Sequence, residues 1–546
     1  MRIVAFSATH DSAVCAVNDG RIEFFAKEER LTKVKRDEEP FKALELYHSL
    51  NFGKVDNFLF VTPSNDNPTV EFMYSRYIEK KFDVKLENYS ALKHHLSHAA
   101  LAFNNSMFNE CLVIVIDRDG SLFFINNEAA CRESESVIIF NKKNYKETYK
   151  SFWIKNEKNK FEVKSKIQAY YPNIDINVNN RLSIVKVYEA ATTLINQHPL
   201  ENGKTMGLAS YGEDLNYDPL FANGNAIGNY FSHLNGPFES PCFFGEEHLI
   251  SDVQEHNYQH YANRAKHVQQ ETQKEALRLI KKYSDKTGIK NVCLVGGYAL
   301  NVVANNFYLK NCPGINFYFE PVADDTGVSI GACILKNLEL NNLPLEPLTD
   351  NFYHYYNSQE ILTVGKKSSV QEICDLLINQ KSVAIFEGSP EAGPRALGHR
   401  SILFDARNLN AKQIVNKIKK REWYRPFAGV ILESEFKNYF NSVGLTSSEF
   451  MTVNFECMSH SKEMFPGVIH VDNTCRVQTV REGFLFNLLT HFNKKTKTPL
   501  LLNTSFNLAG KPLVQTKEDA LNTLNNSDLD FIYFVDDNIL VGNNES

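Results

Sequence analysis

Apolar and polar positions along the chain fall into short blocks whose period keeps changing, the pattern of strands alternating with helices. Residues 3–6, 13–17 and 21–27 are apolar runs of strand length, and Asn18-Asp19-Gly20 supplies a tight turn between the last two. This opening predicts a twisted antiparallel meander. Helical spacing follows over 41–50, then a strand over 58–62 and a helix beginning near Ser97. Residues 111–117 read as a buried strand ending on the carboxylate of Asp117. Farther on, 291–295 is a strand running into Gly296-Gly297 and a helix with Leu300, Val303 and Phe307. A helix rich in small residues follows over 327–335. From about 341 to 356 the pattern lapses into N-N-L-P-L-E-P-L-T-D-N, which predicts a linker. A second α/β unit comes after it, with 383–386, 500–502 and 531–534 as its clearest strands.

Length and composition narrow the class. A chain of 546 residues exceeds one ordinary core, so two or more domains are expected. Hydrophobic content of 43% and charged content of 23% belong to a soluble globular protein. The net charge of -6 gives no global pull toward nucleic acid or an anionic membrane, so any such binding is local. The apolar start breaks at His10 and Asp11, too early for a signal peptide, and no run is long enough to span a bilayer. Ten cysteines without a C-x-x-C pair read as reduced core residues, not a disulfide framework or thiolate metal site. A cytoplasmic location is the expectation, and nothing in the sequence sets an oligomeric state.

Candidate chemistry concentrates in two places. The run A-G-P-R-A-L-G-H-R-S at 392–401 carries Arg395 and Arg400 in a Gly- and Pro-rich loop. K-K-R-E-W-Y-R-P-F at 419–427 adds Lys419, Lys420, Arg421 and Arg425, and N-T-S-F-N at 503–507 adds Asn503, Ser505 and Asn507. Arginine's planar fork grips phosphate bidentately, and glycine lets backbone approach the same anion, so this constellation predicts a phosphate site. In the first half, K-H-H-L-S-H-A-A at 93–100 leads into an apolar helix. His94 and His98, four apart, share a helix face and suit a divalent transition metal, with Asp117 and Asp325 as natural carboxylate partners. His95 competes with His94 for that role. G-K-T-M-G-L-A-S-Y-G at 203–212 and G-G-Y-A-L-N at 296–301 are two further glycine turns. The second joins a strand to a helix at Gly297, where N–H groups and the helix dipole favour a nucleotide phosphate. Finally, 142–166 holds nine lysines against three glutamates, interleaved with Tyr145, Tyr149, Phe152, Trp153 and Phe161. That mixture suits either a solvated insertion or contact with phosphates and stacked bases.

Together these motifs resemble the O-carbamoyltransferases of the NodU/CmcH/TobZ type over nearly the whole chain. H-D-S-A at 10–13, E-E-R-L-T-K-V-K at 28–35, H-H-L-S-H-A, G-K-T-M-G-L-A-S-Y-G, G-G-Y-A-L-N and P-V-A-D-D-T-G carry the resemblance in the first half. G-P-R-A-L-G-H-R-S, K-K-R-E-W-Y-R-P-F and L-N-T-S-F-N carry it in the second. The resemblance implies an α/β chain in two domains: an actin-like ATPase (ASKHA) superfold over 1–345 with the basic-aromatic insert, then a YrdC-like α/β domain over 355–546. It implies that carbamoyl phosphate and ATP, with Mg2+, are joined as carbamoyl adenylate, whose carbamoyl group passes to an acceptor hydroxyl. By the same resemblance His94, His98, Asp117 and Asp325 hold a metal, ferrous iron. Arg395, Lys420, Arg425, Ser505 and Asn507 line the carbamoyl phosphate and ATP site, with Arg400, Arg421 and Asn503 beside them. Lys204 and Asn301 contact the adenylate, with Gly297 at the turn. His10 is the candidate base for the acceptor hydroxyl, oriented by Asp11. One departure stands out: where the family has D-G-x-G-E, this chain has D-R-D-G-S at 117–121, which puts nucleotide contacts there in doubt and makes Asp119 a further possible ligand.

A small hydroxylated metabolite, such as a sugar or antibiotic, is the first expectation for the acceptor. The second is the hydroxymethyl group of a modified pyrimidine in DNA or its nucleotide, which on duplex DNA requires a flipped base and contact through 142–166. The acidic whole argues against DNA. A non-catalytic actin-like nucleotide-binding protein would need no arginine cluster in the second domain, and tRNA threonylcarbamoylation fits the fused second domain less well than free carbamoyl transfer.

Overall fold

The computed structural model describes residues 1–62, 68–88, 90–125, 128–232, 234, 239–341 and 361–543. The chain separates into two compact units. One comprises Met1–Glu28 and Asp37–Leu348, the other Glu29–Arg36 and Thr349–Ser546. A single boundary near 345–355 therefore leaves out one detail: the short stretch Glu29–Arg36 belongs with the C-terminal unit. The expected linker, 341–356, lies outside the described residues beyond Asn341.

The first unit is built on two sheets. In the first, β1 (Arg2–Ser7), β2 (Ala13–Asn18) and β3 (Arg21–Lys27) form the expected antiparallel meander. Asp19 and Gly20 both take positive φ, 48° and 85°, which is what a tight hairpin turn demands of its central residues. β4 (Asn57–Val61) and β5 (Leu86–Asn88) extend the sheet in parallel on the other side of β1, giving the order β3-β2-β1-β4-β5. The second sheet repeats that plan. β6 (Glu110–Ile116), β8 (Glu128–Asn141) and β9 (Tyr145–Ile154) run antiparallel, with β7 (Leu122–Ile125) pairing β8. β13 (Asn291–Val295) and β14 (Asn316–Phe319) lie parallel to β6, and β10 (Asp175–Asn179) adds an edge beyond β9. A small ribbon, β11 (Phe221–Ala222) with β12 (Asn225–Ala226), stands apart. The same meander-plus-parallel order occurring twice is the duplicated plan of the actin-like superfold.

Two helices fill the space between these sheets. Ser90–Ser106 packs on β6 and β13, Thr326–Asn341 packs on β1 and β2, and the two helices pack on each other. The small-residue composition of the second helix is what permits this: a Cβ at Gly331 would stand 1.9 Å from the carbonyl oxygen of Ser97. The first helix begins at Ser90, a full two turns before the expected start near Ser97, so the histidines lie in its interior. Segment 142–166 contributes a strand to the sheet and the start of the Lys160–Tyr170 helix. Its first half is β9, and Phe152 joins a buried cluster with Cys131, Ile154, Val163, Ile167 and Val178. Lys150 is fully buried against Glu133 and Glu147, and of the five aromatics only Phe161 stands out in solvent, at 84% exposure.

The second unit holds one sheet of nine strands. In chain order these are β15 (Lys366–Lys367), β16 (Val383–Phe386), β17 (Arg400–Phe404), β18 (Ala428–Leu432), β19 (Asn454–Glu456), β20 (Thr474–Val480), β21 (Leu500–Ser505), β22 (Phe531–Phe534) and β23 (Ile539–Gly542). Their spatial order is β15-β23-β22-β16-β17-β21-β18-β20-β19. Helices cover both faces: Val383, Ile385, Leu403 and Tyr533 pack with Leu488 and Phe492, while Ala384, Phe386, Ile402 and Ile532 pack with Leu524 and Phe506. Burial on both faces makes these strands continuously apolar, and this is why the sequence showed them clearly. All ten cysteines are buried and free. No helix among the described residues is long and apolar enough to cross a membrane.

Candidate active site

Four side chains converge in the first unit. His94 and His98 project from one face of the Ser90–Ser106 helix. Asp117 follows β6, and Asp325 precedes the Thr326–Asn341 helix. His94 Nε2 lies 3.3 Å from Asp117 Oδ2 and 3.4 Å from Asp325 Oδ1, while His98 Nε2 lies 3.5 Å and 3.3 Å from the same two oxygens. All four residues are buried, and one ligand atom from each falls within 4.8 Å of every other. Nitrogen and oxygen ligands about 2.0–2.2 Å from one ion stand about 3.3–3.6 Å apart when arranged tetrahedrally, so the spacing fits a divalent metal. Both Nδ1 atoms are buried without a hydrogen-bond partner.

The electrostatics say the same. Burial opposes a charge on His94, but Asp325 and Asp117 outweigh it and lift its pKa to about 10. His98 is raised in the same way against its burial. Burial alone would raise Asp117 and Asp325, yet the two imidazoles hold both carboxyls well below their ordinary range. Two carboxylates thus demand positive charge between them, which protons or a cation can satisfy.

Neither rival ligand joins this set. His95 turns to the other side of its helix, with Nδ1 2.9 Å from Ser136 Oγ and 3.2 Å from Glu133 Oε1. Asp119 is held by Arg118 and Arg132, and Arg118 also binds Glu189, so the D-R-D-G-S departure builds an ion-pair network beside the cluster. Gly297 donates its N–H to Asp117 Oδ1 at 3.0 Å and so fixes that carboxylate. The turn before it requires glycine: Gly296 has φ +88°, and a Cβ there would meet the Ile116 carbonyl at 2.5 Å.

His10 and Asp11 sit in the turn between β1 and β2. His10 Nδ1 is 2.8 Å from Asp11 Oδ2, and Lys27 binds the other Asp11 oxygen. Burial disfavours charge on His10, but Asp11, then Asp325 and Asp117, raise its pKa to about 9. The influence of Asp325 and Asp117 places His10 within electrostatic reach of the metal-type cluster. Asp324, which sequence reasoning passed over, is raised by burial and by Asp11 to about 6. Asn301 caps the Val302–Asn311 helix through Ala304 N and exchanges amide hydrogen bonds with Gln269. Lys204 pairs with Glu201 and Gln197 on its own stretch of chain.

In the second unit the cationic constellation is real but its members differ from the expected set. The Ala411–Lys419 helix ends where Lys420 turns left-handed, φ 52°, and this reversal sends consecutive lysines to opposite sides. Lys420 is exposed and donates to the Asn526 carbonyl at 3.1 Å. Lys419 is buried instead, bound to the Ser505 carbonyl, 2.9 Å from the Asn507 carbonyl, 3.0 Å from Asn507 Oδ1 and 3.2 Å from Ser505 Oγ. Lys419 therefore replaces Lys420 beside the N-T-S-F-N residues. Arg476 on β20 is a second missed member. Its pKa is pushed well down by burial and then by Arg395 and Arg425. Burial and the charges of Arg421 and Arg425 push Lys419 down likewise, and Arg421 is lowered by burial, Arg425 and Arg476. Five cations, Arg395, Lys419, Arg421, Arg425 and Arg476, thus stand near one another. Glu422 lies 3.6 Å from Arg425.

Other expected members brace this group. Arg400 is 1% exposed, and its guanidinium donates to the carbonyls of Glu387, Gly388, His399 and Gln515 while stacking 3.4 Å over Phe386. Asn503 ties the Ala396 carbonyl at 3.2 Å to Gln478 at 2.9 Å. Glu391, also missed, closes the loop bearing Arg395. Its Oε1 accepts from the N–H groups of Leu397, His399 and Arg400 at 2.7, 3.0 and 3.2 Å, and Arg30 from the Glu29–Arg36 stretch grips its carbonyl.

The first unit thus gathers two histidines with two carboxylates, and the second gathers five cations. Family comparison gives the class: the carbamoyltransferase N-terminus matches residues 71–334 and the carbamoyltransferase C-terminus matches 374–541. The chain belongs to the carbamoyltransferase family and is a carbamoyltransferase. It is 26% identical over 570 residues to nodulation protein NolNO of Sinorhizobium fredii, covering 95% of this chain and 77% of the relative. It is 24% identical to nodulation protein U of the same organism, covering 94% of each. Among solved structures, HypF of T. kodakarensis aligns at a TM-score of 0.40 and 14% identity over 63% of this chain and 49% of that one, too slight a likeness to bear on mechanism.

Proposed function

We propose that this enzyme joins carbamoyl phosphate and ATP as carbamoyl adenylate in its C-terminal unit and delivers the carbamoyl group to a hydroxyl of a small polyhydroxylated acceptor. The observation carrying this reading is the gathering of cations around buried Lys419, whose pKa, like those of half-buried Arg421 and Arg476, is pushed down first by loss of water and then by the neighbouring arginines. A dianionic phosphate relieves that strain. Carbamoyl phosphate and one water give carbamate and phosphate, and the five cations take up the phosphate's charge. The carbamate oxygen then attacks the α-phosphorus of ATP, pyrophosphate leaves with Mg2+, and a mixed anhydride results. Positioning and charge stabilisation dominate such a displacement, so cations count for more than a nucleophilic side chain. The C-terminal unit would thereby serve as a YrdC-like domain does.

Transfer belongs to the first unit. A divalent ion held by His94, His98, Asp117 and Asp325 would supply Lewis acidity toward a carbonyl oxygen, and ferrous iron suits the imidazole and carboxylate donors. Neutralising Asp117 and Asp325 removes two of the influences that keep His10 protonated, freeing its imidazole to take the acceptor's proton. The acceptor oxygen bonds to the carbamoyl carbon, and AMP leaves. Gly297 orients Asp117, while Asp11 and Lys27 hold His10. Mass spectrometry for a gain of one carbamoyl unit, run on sugars, nucleosides and hydroxymethylated DNA side by side, tests the acceptor. Carbamoyl-phosphate-dependent pyrophosphate release tests the first half-reaction, and its absence would falsify the adenylate route.

A further inference from the structure

A cavity of about 190 Å3 lies in the first unit, lined by Tyr217, Asp218, Asn229, Tyr230, Phe243 and Phe244, with Glu246, Arg264 and His267 completing the wall. Arg264 and His267 belong to the Tyr258–Thr287 helix, three residues apart on one face. Gln269, which pairs with Asn301, lies about 200° around the helix from His267, so the cavity opens away from the Asn301 side. None of the residues assigned above to catalysis lines it.

The chemistry of the lining selects among ligands. Arg264 is satisfied internally: it pairs with Glu246, stands 4.4 Å over the Tyr217 ring and 5.0 Å over Phe243. Glu246 also takes His260 at 3.1 Å. A cation of the protein therefore already occupies the aromatic faces that an ammonium ligand would need, and the arginine has no unmet charge to offer an anion. His267 is 93% buried, being 7% exposed, and burial pushes its pKa down, leaving it neutral. Its Nε2 lies 3.0 Å from the Asp218 carbonyl, and its ring stacks on Tyr217 at 4.6 Å. Tyr217 is thus already engaged by both His267 and Arg264. What remains is a one-sided platform: Phe244 is 74% exposed at the rim, beside the amide of Asn229 and the carboxylate of Asp218, which also accepts from the Tyr230 hydroxyl.

We infer that this cavity is a glycosyl subsite, taking one neutral pyranose ring with its C–H face on Phe244 and its hydroxyls on Asp218 and Asn229. A puckered ring has one apolar face and an equatorial rim of donors, the complement of a one-sided aromatic platform with planar polar edges. Its volume suits one ring: it falls below the roughly 300–1,000 Å3 of pockets for larger ligands. The inference rests on the reading of the acceptor as a polyhydroxylated small molecule, and it adds a second point of attachment on the far side of the long helix.

Saturation-transfer NMR and calorimetry on the full chain with methyl glucoside, galactoside, mannoside and N-acetylglucosaminide test it. At least one should bind, and Phe244→Ala and Asn229→Ala should each weaken it about tenfold. Carbamoyl-phosphate-dependent pyrophosphate release and metal content should stay unchanged in both variants. Absence of binding by every pyranoside, binding that survives both substitutions, or competition by adenosine would overturn the subsite. Pyrophosphate release without pyranoside binding would remove the subsite and leave carbamoyl activation standing; pyranoside binding without pyrophosphate release would do the reverse.

Discussion

The two charged clusters solve opposite electrostatic problems. In the first unit two imidazoles and two carboxylates stand 3.3–3.5 Å apart, and with both imidazoles protonated the group is neutral overall. In the second unit Arg395, Lys419, Arg421, Arg425 and Arg476 stand near one another, and like charges push the pKa values of Lys419, Arg421 and Arg476 down on top of burial. A balanced cluster can persist without a guest; an unbalanced one is shaped for a guest of opposite sign. The function proposed above follows this contrast, with a cation in the first unit and an anion in the second.

The largest test of that division is Arg395→Ala or Lys419→Ala. Either should cut carbamoyl-phosphate-dependent pyrophosphate release by about 10²–10³-fold while metal analysis shows full occupancy. Lys420→Ala should change the same rate less than about twofold, since its side chain points to the Asn526 carbonyl. A large loss in Lys420→Ala with none in Lys419→Ala would reverse the assignment of the two lysines. Next in size, His98→Ala or Asp325→Asn should abolish metal retention and depress carbamoyl transfer about a hundredfold, leaving pyrophosphate release nearly intact. Retained metal in both variants would dissolve the cluster as a ligand set.

A smaller effect sharpens the anion side. Glu391→Ala should raise KM for carbamoyl phosphate about tenfold or more, because three N–H groups lose their shared acceptor and the Arg395 loop opens. Glu391→Gln keeps an oxygen at that point and should recover most of the loss. Equal damage from both changes would mean that charge, not loop shape, is what Glu391 provides.

The smallest effect is a pH dependence. In metal-free protein the His94 and His98 pKa values are raised above the ordinary imidazole value of 6.5, so their contribution to stability is full below about 6.5 and fades as pH rises, toward about 10 for His94. Asp117 and Asp325 are depressed, so theirs is full above about 4 and fades on acidification. Metal competes with the histidine protons. The Tm advantage of metal-loaded over stripped protein should therefore widen between pH 6 and pH 9, both values being about those spanned by normal calorimetry buffers. A gap that narrows over this range would exclude the imidazoles as ligands.

Much of this was legible in the chain. The antiparallel opening, the buried strands at 383–386 and 531–534, and the four metal-type side chains all follow from local pattern and i,i+4 spacing. The helix start near Ser97 was misplaced because polar histidines interrupt the apolar period; only tertiary packing shows that they face inward. Lys419 and Lys420 are indistinguishable in sequence, and a single left-handed residue decides between them. Segment 142–166 read as a surface insertion because its lysines outnumber its acids, yet the strand buries Lys150 and Phe152, while Lys146, beyond the register irregularity opposite Val137 and Ile138, stays in solvent. Arg476 lies some fifty residues beyond the K-K-R-E-W-Y-R cluster in sequence, so only the strand pairing of β18 with β20, which sets it opposite Ala428, reveals its company.

The assignment of Glu29–Arg36 to the C-terminal unit makes the polypeptide interlaced, not modular. A gene split near residue 350 would yield a C-terminal product lacking Arg30, whose guanidinium clasps the Glu391 and Gly393 carbonyls. Lys33, which reaches Asp519, would be gone as well. Evolutionary exchange of either half between relatives must then carry an octapeptide from near the opposite terminus along with it.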